Sequence, residues 1–200
     1  MKKIPSLFIR EFENHNIINI TDQVTNGCEW VINGEGIATE KYDGTCCMIK
    51  QGKLYKRYDA KKGKKPPEGA IPCQPEPDPI TSHWPHWVLV DKNKPEDKWF
   101  IEAFKRLEEQ SLLYGKYIID GTYELCGPHF QTNPYNLDID LFYKHGDKVL
   151  ENVPRTFEGI KQYLNDNYIE GIVFHRGNGE MCKIKRTDFG FEWNNKRSKR

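Results

Sequence analysis

The stretch Glu40-Lys41-Tyr42-Asp43-Gly44-Thr45 sets a lysine ahead of Asp-Gly, between two runs that read as strand. A lysine at a strand end, beside a turn whose glycine lets a ligand approach the backbone, is a candidate nucleophile. Its amine attacks an electrophile only when deprotonated, and an ordinary pKa of about 10.4 leaves it charged at neutral pH. Neighbouring cations or desolvation must depress it. The chain supplies cations far downstream, in Lys183-Ile184-Lys185-Arg186. Residues two apart in a strand share a face, so Lys183 and Lys185 point together while Ile184 turns away. Such a pair would lower the pKa of a nearby amine and hold a phosphate.

Three more residues complete the set: Arg57 after a basic strand, Glu124 in Thr122-Tyr123-Glu124-Leu125-Cys126-Gly127, and Glu170 ahead of Gly171-Ile172-Val173-Phe174. Two carboxylates on separate strands suit a ribose hydroxyl and a hydrated Mg²⁺, a metal that takes few protein ligands. Lys-x-Asp-Gly alone reads first as a surface lysine before a hairpin turn; its companions decide. His83-x-x-His86 lacks the further ligands of a zinc site. His145 and His175 read as polar surface or turn residues and are given no role.

The elements that must position these residues follow from periodicity. Alternation predicts strands over 7–12, 37–42, 45–49, 53–58, 117–125 and 137–143, with a closing hairpin formed by 169–175 and 180–185. Asp43-Gly44 reads as a hairpin turn. Trp99, Phe100, Ala103, Phe104 and Leu107 recur at helical spacing, as do Phe157, Ile160 and Leu164 within a second helix over 156–165. The expected fold is therefore α+β, built mainly on antiparallel sheets. Residues 66–87 hold seven of the twelve prolines and read as a long loop, with Trp84 and Trp87 as packing anchors or stacking surfaces.

Two hundred residues give one domain of ordinary size, with room for a core. The formal net charge is only +1, yet residues 50–65 hold eight and residues 183–200 seven of the 30 basic residues. Local basic patches on a nearly neutral body suit a protein that holds phosphates, although a solvated hairpin and a frayed tail would look alike. Six cysteines without a CxxC pair imply reduced thiols and a cytoplasmic setting. The amino terminus lacks the apolar run of a signal peptide, no segment has the length to span a membrane, and a soluble protein is expected. No obligatory protein partner is evident.

In this order, Lys41, Arg57, Glu124, Glu170 and Lys183 with Lys185 resemble motifs I, Ia, III, IV and V of the covalent nucleotidyltransferase superfamily, which includes ATP-dependent ligases and GTP-dependent capping enzymes. Residues 6–12 (Ser-Leu-Phe-Ile-Arg-Glu-Phe), 27–47 and 78–90 look like the single-subunit 5′ to 3′ RNA ligase family first known in vertebrates and present in bacteria and viruses. The resemblance implies a ligase adenylation domain over residues 1–193 followed by a basic tail at 194–200. It implies that Lys41 attacks the α-phosphorus of ATP to form lysine-AMP. AMP then passes to an RNA 5′-phosphate, and a 3′-hydroxyl displaces it. By the same resemblance Glu124 contacts the ribose, Glu170 orders Mg²⁺ or Mn²⁺ and its waters, and Lys183 and Lys185 grip the α-phosphate. Arg57 holds ribose or substrate phosphate, and Glu40 is a nucleotide or supporting contact. An aromatic covers the base in these proteins. Phe142 is the candidate here, with Leu141 and Tyr143 as competitors and ordinary core as the alternative.

The chain ends soon after Lys185, so no oligonucleotide-binding-fold domain is expected, which disfavours DNA ligase and capping assignments. Two alternatives stay open: a GTP-dependent capping-type enzyme, and a domain that binds RNA ends without catalysis.

Overall fold

The computed structural model describes residues 1–14, 16–79 and 81–193. The basic tail expected at 194–200 lies outside them. In chain order the elements are β1 (Phe8–Glu13), β2 (Asn16–Val24), α1 (Glu29–Ile32), β3 (Ile37–Lys41), β4 (Thr45–Lys50), β5 (Lys53–Ala60), β6 (Ile71–Pro72), β7 (Trp84–Leu89), α2 (Lys98–Leu113), β8 (Gly121–Cys126), β9 (Leu141–Lys144), α3 (Phe157–Asp166), β10 (Gly171–His175) and β11 (Met181–Lys185). The chain is α+β, and its strands pair antiparallel. It divides into two compact units, one formed by Met1–Lys3 with Asp43–His145, the other by Ile4–Tyr42 with the chain from Gly146 onward.

In the first unit a six-stranded sheet runs in the order β6-β7-β5-β4-β8-β9. Alternation sends Cys47, Ile49, Leu54, Tyr123 and Leu125 to one face, where Ala103, Trp99, Phe100, Phe104 and Leu107 of α2 cover them. Each fully buried aliphatic side chain there contributes about 1.5–3 kcal/mol. The same alternation and register put Cys46, Met48, Arg57, Thr122, Glu124 and Tyr143 on the opposite face. Lys56, on the helix side, pairs with the buried Asp97.

The second unit holds a three-stranded sheet, β11-β10-β3, and a two-stranded one, β1-β2. Its core gathers Leu7, Phe8, Trp30, Val31, Ala38, Ile172, Phe174 and Ile184 with Ile160 and Leu164 of α3. Thr156 caps α3, its hydroxyl accepting the Gly159 N–H at 3.2 Å.

Several expectations are corrected. Residues 42–44 do not close a hairpin: β3 and β4 belong to different sheets, so the chain crosses there from one to the other. Part of the proline-rich loop is strand, because residues 84–89 pair along the whole of β5's second half and tolerate Pro85 near the strand start. β8 begins only at Gly121, leaving Tyr117 95% exposed. Finally, not every thiol is reduced: Cys28 and Cys182, 154 residues apart, form a disulfide. The N-terminal segment brings them together, since the Leu7 N–H donates to the Lys183 carbonyl at 2.7 Å and Ser6 forms a bridge with Lys183. A cytoplasmic setting therefore no longer follows from the cysteines. Among the described residues, no helix is long and apolar enough to cross a membrane.

Candidate active site

In the second unit, Lys41 closes β3, Gly171 opens β10 and Lys185 closes β11, and the register sets the three side by side across the sheet. Paired residues share a face, so the two lysines flank a position with no side chain. A Cβ at Gly171 would lie 2.2 Å from the Ile184 carbonyl oxygen, so only glycine lets the strands meet in this register. Val173 pairs with both Lys183 and Thr39 in the next row on the same face.

Glu170, 2% exposed, ties this row together. Its Oε2 lies 2.5 Å from Lys41 Nζ and its Oε1 2.7 Å from Lys185 Nζ. Lys41 Nζ also donates to the Tyr42 carbonyl at 3.1 Å. Burial, reinforced by the charges of Lys41, Lys185 and Arg10, pushes the Lys183 ammonium down to about 8. Among the described residues Lys183 makes no ion pair, whereas Arg10 binds Asp188 at 2.6 Å. Three lysines thus crowd one carboxylate, leaving an excess of positive charge on a partly buried surface, which suits a phosphate.

Glu40 departs from this cluster. It pairs with Ile172, so alternation turns its side chain to the sheet's other face, away from Lys41. Burial raises its carboxyl pKa, and its N–H donates to the Lys148 carbonyl at 2.9 Å. Glu40 and Lys41 therefore present their side chains on opposite faces of the sheet.

In the first unit Glu124 lies on the open face of the six-stranded sheet, directly opposite Cys46 of β4 and Tyr143 of β9. Glu124 Oε1 accepts the Gly44 N–H at 3.1 Å, and Oε2 is 2.9 Å from His145 Nε2. His145 Nδ1 is in turn 3.0 Å from Thr122 Oγ1. The Asp43 N–H donates to the Tyr135 hydroxyl at 2.8 Å, and Gln131 donates to the Gly44 carbonyl at 3.1 Å. Arg57 shares the open face, with Nε 3.0 Å from Asp59 and Nη1 donating to the Met1 carbonyl at 2.9 Å. Burial, then the Glu124 charge, pushes the Cys46 thiol up to about 12.

Phe142 is on the wrong side of β9 for Glu124. It pairs with the buried Leu125 and meets Phe104 and Tyr123 edge-on at 6.4 and 6.1 Å, so the core holds it. Tyr143 is the aromatic that shares the Glu124 face.

From the sequence His145 is given no role, as a polar surface or turn residue, and Tyr135 and Gln131 are not singled out. His145 follows Tyr143 by two positions, and that period was the available signal. Tyr135 and Gln131 lie in irregular chain, where no period marks them.

Comparison with known proteins gives a consistent result. A family model described as RNA ligase 1 matches residues 69–199. RNA ligase 1 of Pongo abelii is 27% identical over 226 aligned positions, covering 78% of this chain and 68% of that protein. RNA ligase 1 of Rattus norvegicus matches at the same identity and coverage, and that of Danio rerio at 24% over 222 positions.

Proposed function

Because this chain belongs to the RNA ligase 1 family, we propose that it is an ATP-dependent RNA ligase with a nucleotidyltransferase-type catalytic domain that joins a 5′-phosphate to a 3′-hydroxyl through lysine-AMP. The observation that carries this reading is the row of Lys41, Gly171 and Lys185 around the buried Glu170, with Lys183 beside it.

Lys41 Nζ attacks the α-phosphorus of ATP, forming a P–N bond as the bond to pyrophosphate breaks. Glu170 Oε2, 2.5 Å from Nζ, stands where it can take the amine's proton. Lys183 and Lys185 draw charge from the α-phosphate oxygens, an electrostatic contribution realised as negative charge develops. The RNA 5′-phosphate then displaces Lys41 from the AMP, and the 3′-hydroxyl displaces AMP from the resulting activated end. Glu124 is assigned to the ribose, Tyr143, in place of Phe142, to the base, and Arg57 to ribose or RNA phosphate.

A hydrated Mg²⁺ or Mn²⁺ fits Glu170 through its waters, because each carboxylate oxygen keeps a lone pair beyond its lysine contact. When bound, such an ion would neutralise charge on the phosphates.

The deciding experiment incubates wild type and Lys41→Ala with α-labelled ATP or GTP and Mg²⁺, followed by denaturing electrophoresis. The expected result is label from ATP on the wild type alone, discharged by 5′-phosphorylated RNA. Label from GTP alone would move the protein to the capping class. No label from either, in folded protein, would leave an RNA-end binder.

A further inference from the structure

We propose that Cys46, Glu124 and His145 form a binding site for Zn²⁺, distinct in chemistry from the Mg²⁺ associated with Glu170. The three residues come from neighbouring strands. Cys46 on β4 is the register partner of Glu124 on β8, and His145 lies one residue past β9, its N–H donating to the Thr122 carbonyl at 3.0 Å. One sulfur, one nitrogen and one carboxylate oxygen all lie within 4.8 Å of one another. Zinc bonds of about 2.0–2.3 Å in a tetrahedron put ligand atoms roughly 3.3–3.8 Å apart, so small side-chain rotations close the site.

The donor set decides which metal. A thiolate and an imidazole select a borderline-soft ion, while Mg²⁺ demands oxygen ligands and sheds water reluctantly. The imidazole is also prepared for the task. Thr122 Oγ1 occupies Nδ1 at 3.0 Å, leaving Nε2 directed toward Glu124. A hydrogen-bonded outer nitrogen is the usual support of a metal-bound histidine. Three protein ligands leave a fourth position to water. On binding, the Zn–S bond forms as the thiol proton passes to solvent, and the ring proton that Nε2 shares with Glu124 moves to Nδ1, which then donates to Thr122 Oγ1.

The site bears on activity because Zn²⁺ would take Glu124 away from the ribose, making zinc and nucleotide mutually exclusive. That consequence rests on the ribose role proposed above; binding of the metal does not.

The test uses the full chain, with Cys46→Ser and His145→Gln as site variants and Cys73→Ser as the thiol control. Equilibrium dialysis with Zn²⁺ in excess Mg²⁺ should give one ion per wild-type chain, at least tenfold weaker binding in the two site variants, and no change in the control. Co²⁺ in place of Zn²⁺ should give thiolate-to-metal charge-transfer absorption in wild type that Cys46→Ser abolishes. In the labelling assay, Zn²⁺ should inhibit wild type, ATP should relieve the inhibition, and Cys46→Ser should resist it. Equal zinc affinity in wild type and Cys46→Ser, or no charge-transfer band, would overturn the site. Zinc bound through Cys46 without effect on labelling would overturn its exclusion of nucleotide. If wild type takes no label from ATP at all, dialysis and cobalt spectra still decide the site, so the two readings fail separately.

Discussion

Lys41 and Lys185, separated by 144 positions in sequence, share a single buried carboxylate, one oxygen of Glu170 serving each ammonium at 2.5 and 2.7 Å. The proposed nucleophile is thereby aligned with a lysine proposed to bind phosphate before any ligand arrives. Such preorganisation is where most of the rate advantage of phosphoryl transfer is found.

Replacing Glu170 by Gln keeps the shape and removes the charge. Two ammonium groups are then left facing an amide in a site with little water. Removing one partner of a buried pair costs about 3–5 kcal/mol. Urea unfolding should show a loss of that order, and lysine-AMP formation should fall by roughly two orders of magnitude, as expected when a positioned proton acceptor is lost. An unchanged labelling rate would remove Glu170 from the chemistry.

Lys183 should impose a pH limit on nucleotide binding. Its folded pKa of about 8 lies below the ordinary 10.5, so the free protein loses this charge as pH rises through about 8. Affinity for an ATP analogue with a methylene bridge between the α- and β-phosphorus should therefore weaken above that pH, and Lys183→Arg should flatten the profile. The stability sign is opposite. Between about 8 and 10.5 the unfolded chain binds more protons than the folded one, so this residue's contribution to stability rises with pH in that window. Nucleotide affinity that is flat across pH 8 in wild type would contradict the assignment.

Gly171→Ala should separate the row. The new methyl meets the Ile184 carbonyl oxygen at 2.2 Å and Lys185 Cα at 2.9 Å, both on the backbone of β11, which cannot rotate aside. Overpacking of this kind costs about 1–3 kcal/mol, visible in thermal unfolding and accompanied by loss of labelling. Gly177→Ala is the control, since nothing lies within 4 Å of its added carbon.

RNA binding should be separable from adenylation. Ala60, Lys61, Lys62, Lys64, Pro77 and Trp84 line a cleft of about 360 Å³ that combines cations with an aromatic surface. Converting the three lysines to Glu should leave lysine-AMP formation intact and slow its discharge onto RNA. The salt dependence of RNA binding should also flatten, by about 0.7 in log–log slope for each phosphate of a single strand that the lysines no longer neutralise. An unchanged slope would clear this cleft of a role.

How far the chain could be read in advance depended on how local the information was. The two-residue period put Lys183 and Lys185 on one face, and their placement opposite Val173 and Gly171, with Lys185 beside Glu170, needed only the short hairpin joining β10 to β11. Phe142 and Tyr143 could not be told apart because the choice depends on which face α2 covers, a matter of packing rather than of pattern. For Glu40 the resemblance left a nucleotide contact and a supporting one both open, and its adjacency to Lys41 in a strand is what sends the two side chains to opposite faces. His145 carried no signal beyond its spacing from Tyr143. The pairing of Cys28 with Cys182 was beyond reach, since a separation of 154 residues leaves no local pattern.

That disulfide also acts as a stop against slippage. Cys182 lies on the core side of β11, beside Lys183 on the other. A shift of β11 by one residue would carry both lysines into the apolar interior and turn Ile184 outward, because side chains alternate strictly along a strand. A covalent tether from Cys182 to Cys28 resists that shift, so a bond on the core side of β11 keeps Lys183 and Lys185, the cations proposed to hold phosphate, on their own side of the sheet.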